Sequence, residues 1–169
     1  MRGINKKINN FIKKKKCTLL GVGPMSLNTV DAAIELSDEH DVPIILIASR
    51  RQIDSSEFNG GYVNNWSTEV YSKYVNKNCK KGKIILARDH GGPWQNSKEV
   101  DQKLSLNVAM QSAKKSFKSD IDSGFEVLHI DTSVDIHKTP DVKAILDRIF
   151  ELYEYSYSYA KSKDKKIIF

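Results

Sequence analysis

Apolar runs and stretches of helical periodicity alternate along most of this chain. The first stretch places Ile4, Ile8, Phe11 and Ile12 on one side of a helix, with lysines on the other sides. Short apolar runs follow, and they predict strands at residues 17–22, 43–48, 83–87, 126–130 and, as the start of a fifth, 166–169. Helical periodicity between these runs predicts helices at residues 27–36, 66–79, 97–117 and 141–159.

This order, one helix followed by alternating strands and helices, predicts an α/β fold. Each strand–helix–strand unit implies a crossover between parallel strands. Residues 166–169 begin a strand that no turn or polar tail follows, so we expect the architecture to continue beyond them. Two smaller architectures stay open, an open sheet that ends on an edge strand and a doubly wound domain of the flavodoxin-like kind.

The charge of the chain is concentrated at its start. The 169 residues have a net charge of +6, but the first 16 carry seven bases and no acid, and the other 153 carry 20 bases and 21 acids. We therefore divide the chain into a basic amphipathic helix, 1–16, and an α/β domain, 17–169. Because the domain is nearly neutral, a nucleic-acid-binding face is not expected. The helix either docks on the domain or binds a membrane surface or an anionic polymer.

The sequence also bears on where the protein works. No apolar run approaches the roughly 20 residues that span a bilayer, and no signal peptide is evident. Cys17 and Cys79 are far apart and form no ligand pair, so a disulfide framework is not expected. These features predict a cytoplasmic protein.

Candidate chemistry lies where the predicted strands end, because ligands of parallel α/β folds bind at the carboxyl ends of strands. The third strand runs into Asp89 and His90, a carboxylate for proton transfer beside an imidazole that can bind zinc. Gly91 and Gly92 would let the next loop approach a ligand closely. An ordinary surface turn is the alternative interpretation of this pair.

The fourth strand carries a second pair of polar residues. His129 and Asp131 are two positions apart and so share a face of the strand. The pair predicts either a polar mouth or, for His129, a core histidine held by hydrogen bonds. The remaining histidines, His40 and His137, lie in polar segments and are expected at the surface.

Four segments of the sequence resemble one family. The segment IILARDHGGPWQN is similar to the Gly-Asp-His-x-Gly-Pro segment of the class II tagatose-bisphosphate aldolase accessory, or non-catalytic, subunits, and FEVLHIDTS resembles their His-x-Asp-x-Ser strand. The segments GPMSLNTVDAAIEL and PIILIASRRQIDSSEFNGGYVNNW resemble the first two strand-to-helix turns. The resemblance runs from about residue 4 to residue 169.

The resemblance implies a fold and a function. These proteins are (β/α)8 TIM barrels related to zinc-dependent class II aldolases, and such a barrel needs about 250 residues. We therefore expect a barrel truncated to about its first half, with an N-terminal helix, four βα units and the start of a fifth strand, from a longer protein. The implied function is aldol cleavage of a sugar phosphate, or that of an accessory subunit, with an aldolase partner subunit or a second copy as partner.

The resemblance also assigns roles to individual residues. Asp89 matches the carboxylate that moves protons, and His90 matches the first zinc histidine, although zinc binding would need a complete barrel. Substrate-binding positions are Gln52, Gly60, Gly61, Tyr62, Asp131 and Ser133, with Ser49 and His129 as further candidates. Ile47 stands where relatives often have Glu, which suggests another sugar. A non-catalytic subunit that binds sugar and stabilises a partner enzyme is the alternative.

Overall fold

A computed structural model describes residues 4–15 and 18–169 of the chain. Cys17, the first residue of the predicted first strand, lies outside these ranges. The strands are β1 Leu20–Val22, β2 Ile44–Ser49, β3 Ile84–Gly91 and β4 Val127–Ile130. The helices are α1 Ile4–Lys15, α2 Leu27–His40, α3 Thr68–Asn78, α4 Ser97–Asp101, α5 Leu106–Asp122 and α6 Val142–Ser162.

The four strands form one parallel sheet in the order β1-β2-β3-β4. Ile168 forms a parallel bridge with Val127, which confirms the predicted start of a fifth strand beside β4. A flavodoxin-like sheet would place its second strand at the edge, in the order 2-1-3-4-5, so the doubly wound alternative is wrong. Helices α2, α3, α5 and α6 contact one another in chain order, as one layer does. The fold is α/β, with the arrangement of the first half of a (β/α)8 barrel.

Strand β2 shows how the sheet separates its two faces. Ile44, Leu46 and Ala48 are buried, whereas Ile45 and Ile47, which alternate with them, are half-buried. Because successive strand residues point to opposite faces, the buried set packs against the helix layer and the half-buried set lies on the other face. We call this other face the concave face, because it corresponds to the inner face of a (β/α)8 barrel. The buried side chains belong to one apolar core, in which each fully buried aliphatic or aromatic residue contributes about 1.5–3 kcal/mol.

Side-chain caps fix the starts of four helices, among them α4, where the Asn96 side chain accepts from the Lys98 N–H. The Ser26 hydroxyl accepts a hydrogen bond from the Thr29 backbone N–H at the start of α2. Ser67 and Asp141 accept equivalent bonds at the starts of α3 and α6. Each cap satisfies one of the N–H groups that the first helical turn leaves without a partner.

The single helix predicted over 97–117 is wrong. The chain forms two helices, α4 and α5, with Lys103 at a φ of 48° between them. The Leu104 carbonyl accepts a hydrogen bond of 2.8 Å from the Trp94 indole N–H. The apolar residues keep a helical period through this segment. The hydrogen bond from Trp94, however, takes the place of a helical partner for the Leu104 carbonyl.

The basic N-terminal segment forms α1. Its Phe11 and Lys14 line a groove together with Val42 and Pro43, where the chain enters β2. Docking of the helix on the domain, or its binding to a membrane surface or an anionic polymer, stays a prediction. Among the residues described, no helix is long and apolar enough to cross a membrane. The division of the chain between residues 16 and 17 stays a prediction.

Candidate functional site

An irregularity at the end of β3 brings two consecutive side chains to the same place. The pairing of β3 with β4 shifts register between Arg88 and Gly91, and His90 has a φ of 46°, in the left-handed region. In a regular strand Asp89 and His90 would point to opposite faces. A bulge re-aims a side chain, and here both residues turn towards the end of β4. Left-handed backbone at a residue other than glycine costs about 1–3 kcal/mol and is concentrated at functional sites.

Four charged or titratable side chains meet at this edge of the sheet. The Asp89 carboxylate lies between two imidazoles, with Oδ2 3.4 Å from His90 Nε2 and Oδ1 3.2 Å from His129 Nδ1. The other ring nitrogen of His90, Nδ1, lies 2.7 Å from Asp131 Oδ2. The structure thus brings together four residues that the sequence placed at two different strand ends. We name them the Asp–His cluster.

Histidine 129 is an exposed member of this cluster. Its side chain is 54% exposed, which excludes the interpretation as a core histidine. The residue lies on the concave face because β4 pairs with β3 in a register that puts Leu128 beside Arg88. Asp89 and His129 are therefore lateral neighbours on that face.

The cluster is electrostatically coupled. The hydrogen bond with Asp131 raises the pKa of His90 above its usual value. Partial burial acts to lower this pKa, whereas the charges of Asp89 and Asp131 act to raise it. Burial acts to raise the pKa of Asp131, but hydrogen bonds from His90 and Ser133 outweigh it and hold that pKa below its usual value. Each of these two charges therefore stabilises the other.

The two glycines after His90 allow close backbone contact between the ends of β3 and β4. A Cβ on Gly92 would lie 1.7 Å from the Asp131 carbonyl oxygen, and one on Gly91 would lie 2.4 Å from the Phe117 ring. The sequence interpretation, that they admit a ligand, therefore needs correction: the chain itself occupies this space. The Asp131 N–H also donates to the Gly91 carbonyl at 2.8 Å, which joins the two strand ends.

Two further side chains hold Asp131. Gln95 donates from Nε2 to Asp131 Oδ2 at 2.9 Å, and Ser133 donates from its backbone N–H and its hydroxyl to Oδ1 at 3.0 and 2.6 Å. Gln95 was missed by the sequence analysis, although it lies within the segment that resembles the family. Its position in the loop after β3 was the available signal.

A buried ion network anchors the loops behind the cluster. Arg50, just after β2, pairs with Asp54 at 3.0 Å and with Glu99 of α4 at 2.7 Å, and all three side chains are almost fully buried. Arg50 also donates to the Gly92 carbonyl at 2.8 Å and to the Ser112 hydroxyl of α5 at 3.0 Å. This network ties the loops after β2 and β3 to α5. The sequence analysis missed it because arginine is usually a surface residue.

The β2 end contributes Ser49 and Gln52. Ser49 pairs in register with Asp89, so it lies next to the cluster on the concave face. Gln52 accepts from the Ser49 N–H through Oε1 at 2.9 Å and donates from Nε2 to Met25 Sδ at 3.2 Å. Gln52 thus joins the ends of β1 and β2.

The predicted residues of the second loop have backbone roles. Gly60 has a φ of +72°, and a Cβ there would lie 2.7 Å from the Trp66 carbonyl oxygen. A Cβ on Gly61 would lie 2.1 Å from the Gln52 carbonyl oxygen. Tyr62 is 61% exposed. Sugar contact by these three residues stays a prediction.

The donor set of the cluster suits a divalent cation. Asp89, His90 and His129 each offer a ligand atom, and these atoms lie within 4.8 Å of one another. Two imidazoles and one carboxylate are a known set for zinc sites with an open position. Asp131 would orient His90 in the way that carboxylates support zinc-bound histidines.

A comparison with models of protein families identifies the family of the chain. The model of the family described as "D-tagatose-1,6-bisphosphate aldolase subunit GatZ/KbaZ-like" matches residues 5–164. The chain belongs to this family. The match contains every member of the Asp–His cluster, and it confirms the resemblance seen in the sequence.

Solved structures extend the comparison to the fold. A probable tagatose 6 phosphate kinase from Sinorhizobium meliloti 1021 aligns with a TM-score of 0.70 at 20% identity, over 85% of this chain and 37% of that one. The two proteins share a fold over this part, and the chain spans little more than a third of that protein's length.

Two aldolases align less closely. The YdjI aldolase from Escherichia coli K12 has a TM-score of 0.40 at 16% identity, over 90% of this chain and 57% of its own. The fructose-bisphosphate aldolase of Campylobacter jejuni has a TM-score of 0.44 at 15% identity, over 91% of this chain and 53% of its own. These scores are too low to establish a shared fold.

Proposed function

We propose that the Asp–His cluster is the sugar-phosphate site of a tagatose-bisphosphate aldolase subunit. The observation that carries the proposal is Asp89, a carboxylate held between two imidazoles at the carboxyl end of β3 in a member of this family. Ligands of parallel α/β folds bind at this edge of the sheet. The hydroxyl of Ser133, the amide of Gln95 and the exposed imidazole of His129 supply polar groups for the hydroxyls of a sugar.

Asp89 is the residue that we assign to proton transfer. In aldol cleavage its carboxylate takes the proton of the hydroxyl group on the carbon that becomes the aldehyde. The carbon–carbon bond breaks, and its electron pair passes to the fragment that bears the carbonyl group, which becomes an enediolate. His90 and His129 hold the carboxylate from both sides at 3.4 and 3.2 Å, which fixes its orientation.

His90 is the residue that we assign to metal binding. Its Nδ1 is engaged by Asp131 at 2.7 Å, so Nε2, which lies 3.4 Å from Asp89 Oδ2, is the nitrogen that a ligand bond would use in place of that contact. His90 would hold a divalent ion, with zinc as the first choice, and the ion would supply positive charge that stabilises the enediolate.

Direct titration tests the sugar-phosphate site. We expect D-tagatose 1,6-bisphosphate to bind the wild-type chain in calorimetry with Zn²⁺ present, and Asp89→Asn and Asp131→Asn to weaken that binding at least tenfold. His40→Ala is the matched control, because His40 is an exposed histidine at the end of α2. Equal binding by the wild type and both cluster variants would contradict the site.

An accessory role in a two-component aldolase is the second candidate. The family description favours it because the family is described as an aldolase subunit. In this case the chain binds sugar and stabilises a catalytic partner, and Asp89 moves no proton.

Kinetics with the partner separate the two roles. If Asp89 transfers the proton, Asp89→Asn lowers kcat of the assembled aldolase by about 100- to 10,000-fold. If the chain is accessory, kcat is unchanged and activity appears only when an aldolase-like partner is added. Cleavage by the purified chain alone, as monomer or homo-oligomer, would exclude the accessory role.

A further inference from the structure

One flank of α6 exposes a continuous row of large apolar side chains. Positions 142, 146, 150, 153 and 157 recur at intervals of three and four residues, so they share one side of the helix. Phe169 joins them, because its ring meets the ring of Tyr153 edge-on at a centroid distance of 4.9 Å. We name this surface the aromatic face. Its members, each 39–73% exposed, are Val142, Leu146, Phe150, Tyr153, Tyr157 and Phe169.

The aromatic face points away from the rest of the helix layer. The opposite flank of α6 carries Tyr155 and Tyr159, whose ring centroids lie 5.6 and 5.3 Å from the ammonium groups of Lys114 and Lys118 of α5. Helix α5 therefore covers that flank and leaves the aromatic face open. The four aromatic rings of the face expose roughly 300–450 Å², and with the two aliphatic side chains the patch reaches a size that marks protein interaction sites.

Helix α2, at the other end of the layer, has a free flank of complementary shape. Its side towards α3 is occupied, since Tyr74 of α3 donates to Asp31, and backbone N–H groups just after α3 donate to Asp38. The other flank contains the short side chains of Ala32 and Ala33 and forms a shallow depression beside β1. We name it the alanine face. Its members are Val22, Asn28, Thr29, Ala32, Ala33 and Leu36.

The two faces fit each other in shape and in charge. Helices pack by fitting ridges of side chains on one into grooves on the other, and the alanines leave such a groove for the aromatic rings. Glu35 and Glu39 are exposed in the second half of α2, whereas Lys161 and Lys166 are exposed at and just after the end of α6. When the two helices lie side by side in the same direction, as helices do in this layer, opposite charges lie at corresponding ends.

We infer that the aromatic face of one copy of the chain packs on the alanine face of a second copy. A contact between two different faces is heterologous and either closes into a ring or continues into a filament. Because each copy has the arrangement of half a barrel, two copies turn through a full circle and two contacts close the ring. The four covered faces, at roughly 300–450 Å² each, then bury an area within the range of about 1,200–2,000 Å² that stable interfaces have.

The same dimer covers the outer strands of the sheet. In the part of the chain that the structure describes, β1 pairs with β2 alone, and Ile168 pairs with Val127 alone. Outer strands with free backbone groups pair readily with another chain, so native proteins cover them. In the dimer β1 of one copy lies beside residues 166–169 of the other. The inference concerns assembly and does not depend on the sugar-phosphate site.

Sedimentation velocity of the 169-residue chain and two face variants tests the inference. We expect the wild type to form a dimer of about 38 kDa, twice the 19.2 kDa of one chain. Phe150→Lys places a charge in the aromatic face, between Asp147 and Glu154 on the same helix, and Ala32→Lys fills the alanine face. Each should raise the Kd of the dimer at least about 100-fold, because both contacts of the ring then contain an altered face.

A control variant separates the faces from surface charge in general. Val108→Lys adds the same charge at a valine that is 51% exposed on α5, outside both faces, and should dimerise as the wild type does. Circular dichroism and Tm check that every variant is folded. All three substitutions are at the surface of a helix, so none removes a buried side chain.

Mixing the two face variants distinguishes a head-to-tail contact from any other. Phe150→Lys still has an intact alanine face, and Ala32→Lys still has an intact aromatic face. A one-to-one mixture therefore forms one fully intact contact per pair, so we expect dimers in the mixture at concentrations where each variant alone is monomeric. A contact between two aromatic faces predicts instead that Ala32→Lys dimerises by itself.

Several results would overturn the inference. A wild-type chain that stays monomeric at about 100 μM, where an interface of this size associates, would do so. Dimerisation of Ala32→Lys alone, absence of dimers in the mixture, or a series of species larger than the dimer would also do so. If the wild type is monomeric and an added aldolase-like partner binds it but not Phe150→Lys, the aromatic face belongs to that partner and the inference is wrong.

Discussion

The tightest backbone approach around the Asp–His cluster lies between Gly92 and Asp131, and Gly92→Ala tests its importance. A Cβ at Gly92 would lie 1.7 Å from the Asp131 carbonyl oxygen and 2.7 Å from its carbonyl carbon. Both groups are backbone, so no side-chain rotation relieves the contact. The ends of β3 and β4 must separate by more than 1 Å before the distance to the oxygen becomes one that Cβ atoms adopt.

The magnitude follows from two effects. Inserting a methyl group into a packed site costs about 1–3 kcal/mol. Separation of the strand ends also strains or breaks the 2.8 Å hydrogen bond from the Asp131 N–H to the Gly91 carbonyl, worth about 1 kcal/mol. We therefore expect Gly92→Ala to lose about 3 kcal/mol of unfolding free energy, which lowers Tm by about 6–12 °C in a chain of this size.

Urea unfolding followed by tryptophan fluorescence measures the loss. Trp94 is 1% exposed and lies two residues from the substitution, so it reports on this region. Gly21→Ala is the matched control, because the nearest atom to its Cβ would be 3.9 Å away, an ordinary contact. The reasoning is refuted if Gly92→Ala unfolds within about 0.5 kcal/mol of Gly21→Ala.

Two more predictions test the helix caps and the buried ion network. Ser67→Ala removes the hydroxyl that accepts from the Val70 N–H, so we expect a loss of about 1 kcal/mol in urea unfolding, whereas Ser105→Ala, at a helix start without a side-chain cap bond, should change little. Equal losses would contradict the cap. Arg50→Met leaves the buried carboxylates of Asp54 and Glu99 without their cation, so we expect it to lose about 3–5 kcal/mol of unfolding free energy in the same measurement. The control is Arg51→Met, at an exposed neighbour, which should change the unfolding free energy by no more than about 0.5 kcal/mol. A small effect of Arg50→Met would show that the network is dispensable.

Periodicity predicted the elements that depend on local sequence. The alternation of strands and helices and the strand start at residues 166–169 are local signals, and the structure confirms them. The sequence also predicted that Asp89 and His129 lie at the carboxyl edge of one sheet. Their direct contact depends on the register of β3 against β4, which no local pattern specifies.

Other features come from contacts that are distant in sequence. The left-handed backbone of His90 arises at a bulge between two strands, and the residue type gives no sign of it. The break between α4 and α5 depends on the indole of Trp94. Arg88 is fully buried because Asp120, 32 residues later, pairs with it at 2.6 Å. None of these three features could be predicted from the sequence, because each depends on contacts that exist only in the folded chain.

The buried network around Arg50 affects which positions of the protein can be substituted without loss of the fold. It holds the loops after β2 and β3 from the side away from the concave face, through Glu99 and Ser112. Exposed residues such as Tyr62 and His129 take no part in that anchoring. Substitutions at such exposed positions can therefore change the chemistry of this surface while the scaffold keeps its shape, and a library restricted to them should retain mostly folded members.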